Sequence, residues 1–461
     1  MRRGRGRISG DFEKQSANNP WTPCNQGERC VSCQNTGSGA IFRRAAGVGG
    51  TLFMPNALVI GLGGVGSVIG RKLHDYDCFD RIFLADIDPT YAQVLHNATK
   101  RSRFEVLQLN AMETAKVAAA MTQHKIAVTL NGCNCYTNYS ILEACHRAGS
   151  HYIDMAADIY SAPGVKKALK NSFEAEIEKF HQFYLEKDLA GLLCLGCDPG
   201  AVNIFARWAM DRLDTASSIR VLDADNAEVR GYRFAVLFSP ETLFEELNAV
   251  PYFVRDGKVT GGRPLEAEVD WYRFPDPIGL QKTYAVAHEE GVSLGIHPPF
   301  VEKGVKYSVF KYAISDQMVN VAKSIDLLNL DTWKKVKVDG VEVAPIRVAT
   351  ANLPKPAQLG ATVDGYSCVG TEVRGTKERK RVEYFIYTMD SHRDAYEKWG
   401  YSLTVVQTGI PPALAARLLV TGKIKERGVM MPEALDPEPF MENFSREGLE
   451  IFVEKREVER M

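Results

Sequence analysis

The sequence predicts an α/β fold: a Rossmann-type, doubly wound parallel sheet, joined to a second α+β domain with a mixed, largely antiparallel sheet. Three observations predict it. A Gly-rich turn lies between an apolar strand and a helix at residues 57–73. Strand-like and helix-like segments then alternate to about residue 211. From about Ser217 the pattern changes to strand-like runs separated by turn signals.

Composition narrows the class. The chain has 461 residues, a formal net charge of −1, 45% hydrophobic and 25% charged residues. This is a globular composition, in a chain too long for a single core. The near-neutral balance argues against a nucleic-acid partner. No run of about 18 apolar residues predicts a membrane span. Ten cysteines are sparse for a disulfide scaffold, and Cys145 and Cys194 sit in apolar runs. They read as thiols in a reducing cytoplasm.

Residues 1–53 are polar and Gly- and Ser-rich, with no helical or strand period, and are expected to be a disordered tail. The tail lacks the apolar region of a secretory signal, and Asp11, Glu13 and Glu28 argue against a transit peptide. Cys24, Cys30 and Cys33 make three-quarters of a zinc site without a nearby fourth ligand, so no metal is expected. Met54 directly precedes the first strand and offers a second place for translation to start.

"NALVIGLG" is an apolar run of the kind found in a buried parallel strand. It ends in Gly61, Gly63 and Gly66, spaced G-x-G-x-x-G. "SVIGRKL" continues as a helix, and "RIFLADID" is a second strand ending in Asp86. Gly61 allows the tight turn, Gly63 a close approach to a pyrophosphate, and Gly66 close packing of helix on strand. Gly64 and Val65 open the helix, whose N–H groups and dipole favour the phosphates. Asp86 stands 25 residues after Gly61, where a carboxylate bonds the ribose hydroxyls and repels a 2′-phosphate. Asp88 adds charge, and no Arg immediately follows. NAD is expected, with NADP kept open by Lys100, Arg101 and Arg103.

Further units follow in order. "FEVLQLNAM" is a third strand, with 113–121 helical. "KIAVTLNGCNCY" is a fourth strand and its exit loop. "NYSILEACHRAG" is an amphipathic helix stopped by Gly149. "HYIDMA" is a fifth strand, and "LLCLGCDPGAVNIFARWAM" a strand, turn and helix. Ligands of such sheets sit at the carboxyl ends of strands. The exit loops Asn131–Tyr136, Asp154–Asp158 and Asp198–Asn203 are therefore the candidate site. Asp198 is expected to cap the helix, with Pro199 in its first turn. Gly200, Ala201 and Asn203 are candidates for contact with cofactor or substrate. The Cys194–Cys197 pair reads as packing rather than a redox couple.

In the second domain, "SIRVLDADN", "YRFAVLFS", "YFVRDGKV", "LQKTYAVAH" and "KYSVFKYAI" read as strands, "SPETLFEEL" and "SDQMVNVAKSIDLL" as helices, and residues 367–391 as a hairpin around a charged turn. Pro411 and Pro412 mark a helix start and Gly422 its end. The expected units are a tail at 1–53, a dinucleotide-binding domain at 54–215, a substrate-binding and dimerisation domain at 216–398, and a helical return at 399–461.

These pieces resemble the saccharopine dehydrogenase family. The matching segments are "VIGLGGVGSVIGRKL", "LEACHRAGSHYIDMA", "GCDPGAVNIFARWA", "SPETLFEEL", "GVKYSVFKY" and "TGIPPALAARLLVTGKIKERGVMMPEALDPEPF". The family includes saccharopine reductases, lysine 6-dehydrogenase-like enzymes and carboxynorspermidine synthases. The resemblance implies return of the C-terminal segment to the nucleotide domain. It also implies hydride transfer at a carbon bonded to nitrogen, on an amino acid or a conjugate of an amino acid or polyamine with a carbonyl compound. A homodimer is expected. Two alternatives stand beside amino-acid oxidation: imine reduction in polyamine synthesis, and a non-catalytic dinucleotide-binding scaffold or sensor.

Imine chemistry needs a nicotinamide over the carbon, a proton donor near the nitrogen and cations for substrate carboxylates. Asn131, Cys133 and Asn134 are expected to line the ribose and nicotinamide. Asp154, at a strand end and matching the family's Asp in that motif, is the first acid–base candidate, and His288 the second. His151 is a candidate substrate contact. In "GVKYSVFKY" alternation places Lys306 and Lys311 on opposite faces, and Lys306 is the expected carboxylate ligand.

Overall fold

The computed structural model describes residues 5–7, 54–99, 103–157 and 172–458. The three tail cysteines, Lys100, Arg101 and Asp158 lie outside these residues.

Seven strands form one parallel sheet in the spatial order Gly428–Met430, Ala190–Leu192, His151–Ile153, Ile126–Asn131, Asn56–Ile60, Ile82–Asp86, Phe104–Gln108. In chain order the first six run 3-2-1-4-5-6, the dinucleotide-binding arrangement. The central strands are buried because helices cover both faces: Ile126–Asn131 is buried at every position, whereas the edge strand Phe104–Gln108 exposes Glu105 and Gln108. The order reverses beside Asn56–Ile60. There the exit loops of Asn56–Ile60 and Ile126–Asn131 lie side by side at the carboxyl edge, where Gly132 N donates to Ile60 O at 2.7 Å; ligands of such sheets bind at this edge.

The second sheet has ten strands. Its main path runs Arg5–Arg7, Ile451–Val458, Lys380–Ser391, Tyr366–Lys377, Thr215–Asp225, Tyr307–Ala313, Tyr252–Arg255, Lys258–Gly261. Leu280–Ala285 also pairs with Tyr307–Ala313 and carries Asp270–Arg273. Thr215–Asp225 and Tyr307–Ala313 run parallel, and the other pairs are antiparallel. The predicted hairpin closes at Lys377↔Lys380. Its central residues Glu378 and Arg379 have φ of +50° and +67°, the left-handed pair that matches the twist of a two-residue turn.

Three expectations about local structure differ from what is observed. Arg5–Arg7, inside the segment expected to be a disordered tail, is a strand paired antiparallel with Ile451–Val458, whose open edge offers it backbone partners. "YRFAVLFS" is not a strand: residues 232–239 are irregular. Val236 is buried, and Phe234 stacks on Phe244 of helix Pro240–Asn248 with centroids 6.3 Å apart, so packing against a helix takes up the alternation. The C-terminal helix starts before its prolines, spanning Leu403–Val420 with Pro411 and Pro412 inside it. Apart from a short polar stripe at Thr404, Gln407 and Thr408 and the Arg417 side chain, it is apolar and mostly buried. Each fully buried leucine, such as Leu414, contributes roughly 1.5–3 kcal/mol, which offsets the lost backbone bonds. Among the described residues it is the one helix long and apolar enough to cross a membrane, but 78% of that window is buried inside the molecule.

This helix ties the two sheets together. A Cβ on its Gly409 would come within 2.8 Å of Val68 in helix Gly64–Asp75, so the two helices pack backbone to side chain. Further on, Gly428–Met430 extends the parallel sheet, while Ile451–Val458 joins the mixed one. None of the described cysteines is in a disulfide.

Candidate active site

The Gly-rich turn is fixed from within. The Gly61 N–H donates to Ala85 O at 2.8 Å, and the Leu62 N–H to Asp86 Oδ2 at 2.7 Å. Gly61 has φ +91°, and a Cβ on Gly66 would stand 1.8 Å from the Gly61 carbonyl oxygen. Gly63 differs: a Cβ there would meet nothing within 4 Å. Its open side adjoins the N-terminus of helix Gly64–Asp75, which has no side-chain cap and no acid in its first turn. Free helix N–H groups facing open space fit a pyrophosphate. Gly63, Gly64 and Val65 would hold it, with Asp86 beside the ribose. Asp86 Oδ1 accepts from Asp88 N at 3.0 Å, so the backbone orients both carboxylate oxygens. Once bound, a nicotinamide cofactor supplies or accepts the hydride. Arg103 donates to the carbonyls of Tyr76, Phe79 and His74, closing the end of this helix rather than facing the ribose position.

The neighbouring exit loop is equally organised. Asn131 is buried and its amide donates to Asn138 Oδ1 at 2.9 Å and accepts from Cys133 N at 3.0 Å. The side chain therefore shapes the loop, leaving the backbone of Gly132 and Cys133 beside Gly61. Burial pushes the Cys133 thiol up to about 12, so it stays protonated. Asn134 is exposed and starts the single turn Cys135–Thr137.

Asp154 lies just past the carboxyl end of His151–Ile153, and its Oδ1 accepts from Cys194 N at 2.6 Å. Burial pushes its carboxyl up to about 7. Glu289 links this loop to the second domain: its Oε1 accepts from Ala157 N at 2.7 Å and lies 3.9 Å from Cys194 Sγ. Next to it, His288 Nδ1 is 3.0 Å from Glu290 Oε2, its Nε2 is 3.8 Å from Glu246 Oε2, and its ring stacks on Phe310 at 3.9 Å. Burial disfavours a charged ring, but the carboxylates of Glu290, Glu246 and Glu289 outweigh it and raise the pKa well above the ordinary histidine value. The fold thus joins Asp154 and His288 through Glu289.

Other candidates are placed elsewhere. His151 sits at the amino end of its strand, with Nδ1 accepting from Ala190 N at 2.9 Å, and burial lowers its pKa to about 4. Lys306 is exposed, before strand Tyr307–Ala313. Of the two, Lys311 is the buried one, paired with Asp270 at 2.5 Å. Asn203 is fully buried, taking the Gly200 N–H at 2.9 Å and donating to Glu433 at 2.9 Å. Gly200, not Asp198, is the N-cap of helix Ala201–Asp211.

Asp198 instead lines a cleft of about 440 Å³ between the two sheets, together with Asp223, Asp225, Tyr312, Thr404 and Gln407. The carboxyls of Asp198 and Asp223 hydrogen-bond one another. Burial, then the neighbouring acids, raises both. Asp198 reaches about 7 despite His288, and Asp223 goes well above the carboxylate range, so the pair holds a proton at neutral pH. The cleft abuts the phosphate loop through helix Leu403–Val420. A Cβ on Gly64 would come 3.1 Å from Val405, and one on Gly196 would come 3.3 Å from both Met155 and Thr408. Cys194 and Cys197 are buried thiols raised well above their ordinary value by burial, then by nearby acids, consistent with packing.

Sequence reasoning missed Asp223, Asp225, Glu246 and Gln407. One signal is present: "VLDADN" puts two acids at alternate positions of an apolar strand, on one face.

Comparison with known proteins agrees with this architecture. Residues 57–185 match the saccharopine dehydrogenase NADP binding domain, and residues 196–449 the saccharopine dehydrogenase C-terminal domain. The chain is 30% identical over 415 residues to a carboxynorspermidine synthase of Vibrio alginolyticus, covering 87% of this chain and 97% of that one. It is 27% identical over 399 residues to a carboxyaminopropylagmatine dehydrogenase of Synechocystis, covering 86% and 96%. The parallel sheet with its open Gly63 loop, the mixed second domain and these matches establish that the chain belongs to the saccharopine dehydrogenase family of nicotinamide-cofactor oxidoreductases.

Proposed function

We propose that the protein reduces the imine formed between a polyamine-type amine and a carboxylate-bearing aldehyde. The amine and aldehyde condense with loss of water to a C=N bond. The cofactor's hydride then goes to the carbon and a proton to the nitrogen, giving a secondary amine and the oxidised cofactor.

The observation that carries this reading is the acid cleft. Asp198, Asp223 and Asp225 line one space against the dinucleotide domain, and Tyr312, Phe234 and Phe238 supply apolar walls. Carboxylates around an apolar-walled slot favour ammonium and iminium groups over anions or neutral carbonyls. An iminium is also the form of a C=N bond that accepts hydride readily. The names of the Vibrio and Synechocystis relatives describe carboxylated polyamine-type products, which agrees with this chemistry.

In this reading Asp198 supplies the proton. It lines the cleft, shares a proton with Asp223, and is coupled electrostatically to His288. The His288–Glu290–Glu246 group restores that proton from behind. Asp154 does not line the cleft; by holding Cys194 N it positions the loop that carries Asp198. Asp86 gives a preference for NADH, because its carboxylate occupies the place a 2′-phosphate would need.

The test is cofactor oxidation at fixed aldehyde with a diamine, monitored by absorbance and by product mass. Expected is a product equal to amine plus aldehyde, minus water, plus two hydrogens, with NADH preferred and Asp86→Ser shifting the ratio roughly tenfold toward NADPH. Oxidation of an amino acid without any reductive coupling would replace this reading with the amino-acid dehydrogenase one.

A further inference from the structure

Helix Leu403–Val420 contributes to the cleft in a way its composition does not announce. Thr404, Gln407 and Thr408 line the cleft, and they share the stripe of the helix that leads to Pro411. The residues four beyond Gln407 and Thr408 are Pro411 and Pro412, which have no N–H. Helical donors therefore cannot reach the Gln407 and Thr408 carbonyls. The proline pair leaves two neutral acceptors at the turn that borders the cleft.

Gln407 supplies an independent sign of a ligand. The residue is 2% exposed; Oε1 of its amide accepts from Ser367 Oγ at 3.2 Å, while Nε2 is buried without a hydrogen-bond partner among the described residues. A side-chain amide turned by half a rotation keeps the serine bond, now as donor, and offers its oxygen instead. Ser367 lies directly across the sheet from Asp225. Asp225 is held in place: Oδ2 accepts from His392 Nε2 at 2.9 Å and Oδ1 from Ala227 N at 2.5 Å. His392 Nδ1 accepts from the Leu403 N–H at 3.2 Å, which fixes the proton on Nε2 and ties Asp225 to the first residue of the same helix. The cleft thus ends in a fixed carboxylate, an unsatisfied buried amide and two carbonyls without helical donors.

We propose that this end of the cleft is a second cation station, which holds the far, non-reacting ammonium of a di- or triamine substrate. Asp225 supplies the charge, and Gln407 with the proline-freed carbonyls supplies neutral acceptors for the remaining N–H bonds. The station rests on the imine-reductase reading and selects the amine: a diamine satisfies it, and a monoamine of equal length leaves it empty.

The test is steady-state kinetics on the full chain with a diamine and a monoamine of matched length and one carboxylate-bearing aldehyde. Wild type is expected to favour the diamine at least tenfold in kcat/KM, through KM. Asp225→Asn should erase most of that preference. Pro411→Ala, which restores one N–H to the Gln407 carbonyl, should cut it several-fold. Gln407→Glu should keep or lower the diamine KM. Cofactor titration and the thermal midpoint check that each variant is folded. Equal use of the two amines by wild type, or a preference that Asp225→Asn and Pro411→Ala leave unchanged, overturns the station while imine reduction stands. A Gln407→Glu variant that raises the aldehyde KM tenfold and leaves the diamine KM alone assigns Gln407 to the carboxylate and also overturns it. Absence of reductive coupling with any amine removes the parent reading instead.

Discussion

The phosphate loop and the acid cleft lie on either side of helix Leu403–Val420, and they are built from different materials. At the loop the working groups are backbone N–H donors, and the side chains that matter are those left out: Gly61 and Gly66 because neighbours fill their space, Gly63 because nothing does. At the cleft, the proposed seat of the chemistry, the groups are ionisable side chains from many parts of the chain, buried together so that their pKa values move. A backbone site is set by local spacing and is used for any dinucleotide. A side-chain site is set by tertiary placement and carries the chemistry of one substrate class. Most of the catalytic effect should therefore lie in the cleft, and most of the binding sensitivity in the loop.

The largest effect expected on that basis is from Asp198→Asn. The amide keeps the shape and a hydrogen bond to Asp223 but cannot pass a proton to the imine nitrogen. General acid–base contributions are typically 10²–10⁴-fold, so kcat should fall by at least about 100-fold with cofactor affinity unchanged. A matching fall in cofactor affinity, measured by fluorescence titration, would show that loop and cleft are not separable in this way.

The loop is probed by two substitutions of the same kind. In Gly66→Ala the new Cβ stands 1.8 Å from a backbone oxygen, and forcing it in costs about 1–3 kcal/mol or more. The thermal midpoint should drop and cofactor binding be lost together. Gly63→Ala meets no protein atom within 4 Å, so the apo protein should melt as wild type does. The methyl group would project where the pyrophosphate approaches, and the cofactor dissociation constant should rise roughly tenfold, about 1.4 kcal/mol. If Gly63→Ala binds cofactor normally, the phosphate does not sit there.

The same contrast explains what is legible in the sequence. Gly61, Gly63, Gly66 and Asp86 form one local pattern within 26 residues, and strand, turn and helix each have a period of their own, so the loop and its sheet order can be read directly. The charged hairpin at Lys377–Lys380 is legible for the same reason. The cleft is not. Asp198 followed by Pro199 and Gly200 has the look of a helix cap, and only the fold shows the cap at Gly200 and the Asp198 carboxyl against Asp223, 25 positions away. Alternation places Lys306 and Lys311 on opposite faces, but periodicity alone does not say which face is buried, and Lys311 is. Pro411 and Pro412 read as a helix start because isolated helices break there; burial on helix Gly64–Asp75 carries this helix through them.

Asp154 gives the finest test, because it is a buried carboxyl outside the cleft that fastens the loop carrying Asp198 through Cys194 N. If it acts by holding Cys194 N, Asp154→Asn keeps an acceptor oxygen at that N–H, and kcat should fall far less than in Asp198→Asn. Its proton should instead appear in stability. Burial raises the folded-state pKa from 3.8 to about 7, so between those values the folded protein holds a proton that the unfolded chain has released. That contribution is complete below about pH 4 and is lost as pH rises through about 7. Each such proton adds a slope of about −1.4 kcal/mol per pH unit. Tyr152 and Glu289, the groups beside it, remain in the variant. Urea unfolding between pH 4.5 and 7 should therefore give a shallower decline for Asp154→Asn than for wild type. Parallel curves, or a loss of kcat equal to that of Asp198→Asn, would move Asp154 from positioning the loop to donating the proton.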